Sequence, residues 1–150
     1  MTDIVTPEVR SRIMSRIRGQ DTVPEKIVRS LLFRSGFRFR LHRRDLPGRP
    51  DIVLPKYRAV IFINGCFWHA HARCAYATFP GSNRKFWQTK LADNKERDRR
   101  NIMKLHQAGW RVLVVWECTI RGKQNLFELE NQLAIWIRSA AESGELADIQ

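Results

Sequence analysis

Apolar residues recur along this chain with two different periods, and the switches between them mark out its elements. In residues 22–36 the apolar positions Ile27, Val28, Leu31 and Leu32 fall at helical spacing. Thr22 can cap that helix, Pro24 suits its first turn, Glu25 stands three residues after Thr22 as in a capping box, and Gly36 stops it. Residues 37–41, FRFRL, alternate with period two and put arginine on one face, as a half-exposed strand does. Two further strands are predicted at 48–54 and 57–63, joined through Pro55-Lys56 as a tight hairpin. A long helix is expected over 84–108, with Gly109 as its stop and a centre, DNKERDRRN, that is almost wholly charged or polar. Its middle must therefore face solvent or a ligand. Residues 110–118, WRVLVVWEC, form an apolar run rich in β-branched residues and read as a central strand. A last amphipathic helix is expected over 124–141, and the tail after Ser143 is expected to fray.

The order helix, three strands, helix, strand, helix predicts an α/β (α+β) domain with one central mixed sheet flanked by helices. At 150 residues the chain is the size of a single domain with a real core. Trp110, Trp116 and Trp136 lie in its apolar runs and are expected in that core. No apolar run approaches the ~20 residues needed to span a bilayer, and the start has no apolar signal core. A cytoplasmic location and no membrane partner are expected.

Charge changes the picture. Lys+Arg number 27 against 15 Asp+Glu, for a net charge of +12 and a pI near 10.6. A balance this basic, carried mostly by arginine, points to a polyanionic partner, nucleic acid first. Residues 1–20 form a basic arm in which Arg10, Arg12, Arg16 and Arg18 interleave with Val9, Ile13, Met14 and Ile17. Such an arm serves equally as a surface helix or as a segment lying along DNA. Lys95, Arg97, Arg99 and Arg100 are expected on a phosphate-facing side of the long helix, with Asn94 near the active site. His42 and His106 belong to no recognisable constellation.

The chemistry concentrates in residues 64–74, NGCFWHAHARC. Cys66, His71 and Cys74 are spaced by four and two residues, and the third cysteine, Cys118, lies just past the end of the strand RVLVVWE, residues 111–117. Two strands of one sheet ending at the same edge would bring Cys66 and Cys118 together. The set would then be Cys3His, a closed structural Zn2+ site. His69 could replace His71, but His71 lies nearer Cys74, so His71 is assigned to zinc and His69 is left free. A histidine held beside a metal knot is suited to act as a general base. Asp51 opens the strand IVL after a proline; a carboxylate there must be paired, capped or metal-bound. With hard oxygen ligands it would hold Mg2+ against a phosphate. Glu25 is the other candidate acid.

The stretches LPGRPDIVL, YRAVIFINGCFWHAHARC, SNRKFWQTKLADNKERDRRN and GWRVLVVWEC closely resemble the very short patch repair (Vsr) DNA mismatch endonucleases, in the same order over roughly residues 6–122. The resemblance implies a restriction-endonuclease-like fold, with residues 21–142 as one endonuclease domain, 1–20 as a DNA-contacting arm and 143–150 as a disordered tail. It implies an enzyme that nicks duplex DNA 5′ to the thymine of a T:G mismatch left by deamination of 5-methylcytosine. By position, Asp51 matches the catalytic Mg2+-binding aspartate, His69 the catalytic histidine and Glu25 an N-terminal acid of the active site. Cys66, His71, Cys74 and Cys118 match the zinc ligands. Phe67, Trp68 and Trp87 match aromatics that wedge into the duplex, and the arm with Arg10, Arg12 and Arg16 matches a helix that enters the minor groove.

Three departures stand out. Ile63-Asn64 replaces the Thr-His of the best-known pattern; a backbone carbonyl of Ile63 can still bind Mg2+, whereas Asn64 cannot carry a proton as histidine does. The metal loop is one residue longer. No E-x-K occurs on the third strand, which agrees with histidine-based chemistry. The expected partner is double-stranded DNA with a T:G mismatch, with other mismatch-repair proteins as further partners. The expected state is a bacterial, nucleoid-associated monomer. The rivals are a zinc-bearing DNA-binding protein without catalysis and a nuclease of the same fold that cuts matched sites.

Overall fold

The structure, a computed structural model, describes residues 21–69, 71–72, 74, 77, 81–121 and 126–147. The basic arm with Arg10, Arg12 and Arg16 lies outside the described residues. Helix α1 (Val23–Arg34) starts as its sequence dictates, with Thr22 Oγ1 accepting from Glu25 N at 3.4 Å. The return arm of the capping box lands one residue early: Glu25 Oε2 accepts from Asp21 N at 3.1 Å. Val28, Leu31 and Leu32 form its buried stripe.

Strands β1 (Arg40–Leu41), β2 (Ile52–Leu54), β3 (Ala59–Asn64), β4 (Arg111–Trp116) and β5 (Ser143–Leu146) form one sheet in the order β1-β2-β3-β4-β5. The first two pairings are antiparallel and the last two parallel, so the sheet is mixed. Helix α2 (Arg84–Gln107) connects β3 to β4 from one side. Helices α3 (Glu117–Arg121) and α4 (Leu126–Arg138) connect β4 to β5.

The pleat sends alternate residues to two different layers. Ile52, Leu54, Ile61, Leu113 and Val115 pack with α1 and α4 through Val28, Leu32, Leu129, Leu133 and Ile137. Val53, Val60, Phe62 and Val112 face α2, where Leu105 and Ile102 cover them together with Trp110 just before β4. Trp110, Trp116 and Trp136 are all buried. Truncating a fully buried residue of the first layer, such as Leu133, removes about 2–5 kcal/mol.

Four sequence expectations change. The tail after Ser143 is not frayed as far as Leu146, because its backbone completes the sheet beside β4. Val112 N donates to Glu142 O at 2.8 Å, and Trp136 Nε1 to Ser143 O at 3.2 Å. A side chain at Gly144 would collide with the Trp136 indole, so this edge strand needs glycine there. The Pro55-Lys56 hairpin is a 3-10 turn, Pro55–Tyr57, and Arg58 beyond it takes φ 51°, which delays β3 to Ala59. Strand β1 is only two residues long because Phe37 leaves the ladder to join the core. Strand β4 ends sooner than expected, at Trp116, and Cys118, just past it as expected, sits on the short helix α3.

Arg111 closes the end of the sheet opposite the candidate site. Its guanidinium donates to Trp136 O at 2.7 Å, Ile137 O at 2.9 Å and Ala141 O at 2.8 Å, satisfying carbonyls at the end of α4.

Candidate functional site

At the other end of β3 the chain leaves the sheet at Asn64 and turns through Gly65 into the Cys/His loop. Cys66 is buried there, and Cys118 is buried on α3 just past the end of the neighbouring parallel strand. The parallel register, with Asn64 opposite Trp116, is what brings these two sulfurs to one edge. Their Sγ atoms, a ring nitrogen of His71 and Sγ of Cys74 all lie within 4.8 Å of one another. Cys118 Sγ lies 3.6 Å from His71 Nδ1. The His71 ring stacks on Trp116, with centroids 4.0 Å apart and planes 7° apart, which fixes its direction. Burial holds the His71 ring below its ordinary pKa, so it is neutral and able to ligate, and burial pushes the Cys66 thiol up.

His69 is not in that group. Its Nδ1 pairs with Asp98 Oδ2 on α2. Four residues earlier on the same helix, Asn94 Nδ2 donates to Trp68 O at 3.2 Å, so α2 grips the loop at two points one turn apart. Paired in this way, Nδ1–H donates to the carboxylate and His69 keeps a lone pair on Nε2.

Both His69 and Asp51 line an open cleft of about 790 Å³, together with Glu25, Ile63, Asn64 and Glu117. Its cationic lining comes from Arg49, Lys90, Arg97 and Arg121. Asp51 stands just before β2, where its Oδ2 accepts from Ile63 N at 2.7 Å across the hairpin. Burial pushes its pKa up to about 7, against the opposing effect of the Ile63 N–H; Glu25 raises it further, and His69 and Arg29 lower it. A smaller cavity of about 390 Å³ is lined by Phe62, Asn64, His69, Asp98, Asn101 and Ile102, between β3 and α2.

Phe67, Trp68 and Trp87 form an edge-to-face cluster with centroids 5.1, 5.3 and 5.8 Å apart, half-buried beside the cleft. Phe86, 58% exposed, extends the cluster outward. Rings held by one another in this way keep their shape without a full core around them.

Residues 2–75 match the family described as DNA mismatch endonuclease Vsr. The chain is 43% identical to the DNA mismatch endonuclease Vsr of Escherichia coli strain K12 over 148 residues, 97% of this chain and 94% of that one. The chain belongs to the Vsr family. It is 50% identical to the type II nicking enzyme V.XorIIP of Xanthomonas oryzae pv. oryzae over 120 residues, 80% of this chain and 88% of the relative. The solved catalytic domain of the homing endonuclease I-Bth0305I superposes with a TM-score of 0.52 at 20% identity, covering 79% of this chain and all of that one, a likeness of fold alone.

Against the Vsr pattern, the structure brings Asp51, Glu25, Ile63, Asn64 and His69 to one cleft and Cys66, His71, Cys74 and Cys118 to one cluster. Arg97 lies on the wall of the cleft, and Asn94 spends its amide on the loop as well as lining the cleft. Sequence reasoning missed Asp98, Arg29 and His42. Asp98 had a signal: Asn94 and Asp98 are four apart in the charged helix and share a face. His42 had none, because only the fold carries it from the end of β1 to within 2.9 Å of Arg29.

The donor sets fit the metals that the family implies. Three thiols and an imidazole suit tetrahedral Zn2+, whose ligand atoms stand about 3.8 Å apart for bonds of about 2.3 Å. At Asp51 a carboxylate with one oxygen beyond its single hydrogen bond, beside a second acid, offers hard donors with uncompensated charge.

Proposed function

We propose that this protein is a restriction-endonuclease-like, Mg2+-dependent endonuclease that nicks duplex DNA 5′ to the thymine of a T:G mismatch. The observation that carries this reading is His69, paired with Asp98 behind it, in the same cleft as Asp51 and Glu25, with an aromatic cluster beside it. Asp51 and the carbonyl of Ile63 would hold Mg2+. Bound there, the cation would neutralise charge on the scissile phosphate and lower the cost of attack by water. Asp98 holds the His69 ring in one tautomer, so that Nε2 can take a proton from the attacking water. Arg49, Arg97 and Lys90 offer positive charge to the DNA backbone. Cys66, His71, Cys74 and Cys118 would close the loop on Zn2+ and keep His69 and the aromatics in place.

Phe67, Trp68 and Trp87 would enter the stack beside the mismatch. Unstacking a step costs a few kcal/mol and is easiest at a mispair, while stacking on an aromatic face returns about 1–3 kcal/mol per base. The arm with Arg10, Arg12 and Arg16 would add phosphate contacts. We read the protein as a monomer acting in the cytoplasm on chromosomal DNA.

The test is a nicking assay on one duplex prepared with T:G and with C:G, with and without Mg2+. A nick on T:G alone that needs Mg2+ and is lost in Asp51→Asn supports the reading. Equal cutting of both duplexes means a nuclease of matched sites. Tight binding without a nick under any divalent ion means a DNA-binding protein without catalysis.

A further inference from the structure

Asp21, Glu25 and His42 present donor atoms within 4.8 Å of one another, a group that resembles a cation site. The cation is already in place, and it is Arg29. Its Nη1 donates to Asp21 Oδ1 at 2.7 Å, and its Nη2 to Glu25 Oε2 at 3.0 Å and to His42 Nε2 at 2.9 Å. A guanidinium is protonated at every accessible pH and only donates, so His42 Nε2 must accept and the ring proton must sit on Nδ1. Arg29 Nε is buried without a hydrogen-bond partner among the described residues, so the three acceptors, and not the needs of the guanidinium as a whole, decide where it lies.

Two residues that meet Arg29 from outside α1 take left-handed backbone, Asp21 at φ 64° and His42 at φ 52°, a conformation that side chains rarely adopt. Such strain persists where the surroundings over-determine it. His42 is held there by its N–H to Asp51 O, 3.4 Å, and so links the clamp to the backbone of Asp51 at the start of β2. The effect falls on Glu25, which is 5% exposed. Its Oε2 takes both Arg29 and Asp21 N, leaving Oε1 with no hydrogen-bond partner among the described residues, and Glu25 lines the cleft shared with Asp51.

We propose that Arg29 and His42 are positioning residues that fix Glu25 with Oε1 turned to the reacting side of the cleft. This rests on the reading of Glu25 as part of the active site. Neither residue touches the DNA in this role; both act through Glu25.

The test uses the full zinc-loaded chain and two independent readouts. In ring-nitrogen NMR at pH 7.5, His42 is expected as the Nδ1–H tautomer with Nε2 unprotonated, and Arg29→Met abolishes that preference. An Nε2–H or doubly protonated His42 in the unmodified protein overturns the clamp. In the T:G nicking assay, Arg29→Met lowers kcat roughly 10- to 100-fold, as a misplaced catalytic group does, with KM for DNA changed less than about threefold. Arg29→Lys recovers little, since one ammonium cannot meet three acceptors with a planar fork. His42→Leu loses a smaller factor, and His42→Gln, which restores an acceptor, recovers most of it. Melting temperature and zinc content confirm that the variants fold. A kcat within twofold for Arg29→Met, a loss confined to KM, or full recovery by Arg29→Lys overturns the proposal. Glu25→Gln is measured alongside: if it nicks at the unmodified rate, Glu25 has no role and the positioning role falls with it. If the unmodified chain cuts no T:G duplex, the functional reading fails while the His42 tautomer still decides the clamp.

Discussion

The two sides of the sheet are built on opposite terms. Toward α1 and α4 the strands present Ile52, Leu54, Ile61, Leu113 and Val115, and α4 answers with four buried residues in a helix of 13. Toward α2 the same strands present Val53, Val60 and Val112 at one end and Phe62 and Asn64 at the other, and α2 buries only Leu91 and Leu105 in 24 residues. A helix pinned at two buried points has a middle free of the core, and that middle carries Asn94 and Arg97 to the cleft and Asp98 and Asn101 to the smaller cavity beside it. One face of β3 therefore contributes stability along its length, while the other buries Val60 and then presents Asn64 to a site that close packing would have closed.

The largest expected effect separates two histidines at the head of that second side. His71→Ala should lose bound zinc and about 5 kcal/mol or more of stability, because binding of a structural metal is folding free energy. His69→Ala should keep zinc and its melting temperature yet lower kcat by roughly 10²–10⁴-fold, the usual worth of a general base. Metal analysis and thermal melting on both variants check this; equal loss of zinc in the two would remove the division of labour.

A second comparison sets Leu133 on the closed side against Asn94 on the open one. Leu133→Ala should cost about 2–5 kcal/mol in denaturant unfolding, with nicking per folded molecule unchanged. Asn94→Ala gives up one half-buried hydrogen bond to Trp68 O, about 1 kcal/mol, and should lose rate out of proportion to that. Comparable stability losses in the two would mean that α2 is a core helix after all.

The closed side was the legible one. Its helices follow from the spacing of Leu31, Leu32, Leu129 and Leu133, and its strands from β-branched runs, because burial of a continuous face imposes a period on the sequence. The Cys/His cluster was legible in part, since three cysteines and a histidine are scarce residue types whose spacing constrains them. What the sequence hid lies where contacts are non-local and polar. Strand β5 is four residues, SGEL, whose place is set by parallel backbone pairing to β4, which leaves no pattern in its side chains. The Arg29–His42 contact joins residues thirteen apart through a left-handed turn. Asp98 stood in a run of charges where any residue could have faced solvent; only its pairing with His69 singles it out.

Asp51 tests the open side by its cost to stability. Its pKa rises from 3.8 to about 7 on folding, so between those values the folded protein binds the proton that the unfolded chain releases. This group's contribution is fully present below pH 4 and is lost as pH rises through 7. In Mg2+-free buffer, Asp51→Asn should therefore be more stable than the unmodified protein at pH 8, by about 2 kcal/mol once partial solvation is allowed for, and the gap should close toward pH 4. The same variant should not nick. Melting curves across that range decide it: a gap independent of pH, or a less stable Asn variant at pH 8, would show that the carboxylate sits in the cleft without strain.

The smallest effect bears on the aromatic cluster, which the geometry leaves open to two uses. Phe67, Trp68 and Trp87 touch edge to face and are half-buried, which suits a small core under the Cys/His loop and a preformed wedge equally. The two uses differ in where the energy appears. If Trp87 is core, Trp87→Ala costs about 3–5 kcal/mol of stability and binding to T:G and C:G duplexes falls together or not at all. If it is a wedge, stability changes by less than about 1 kcal/mol, while affinity for the T:G duplex falls by about 1–3 kcal/mol, the worth of one base stacked on an aromatic face. Binding to the matched duplex should then change less, since a matched step resists opening. Titrations of both duplexes at one fixed salt concentration, set beside a melting curve, separate the two, because salt alone shifts DNA affinity by more than this difference.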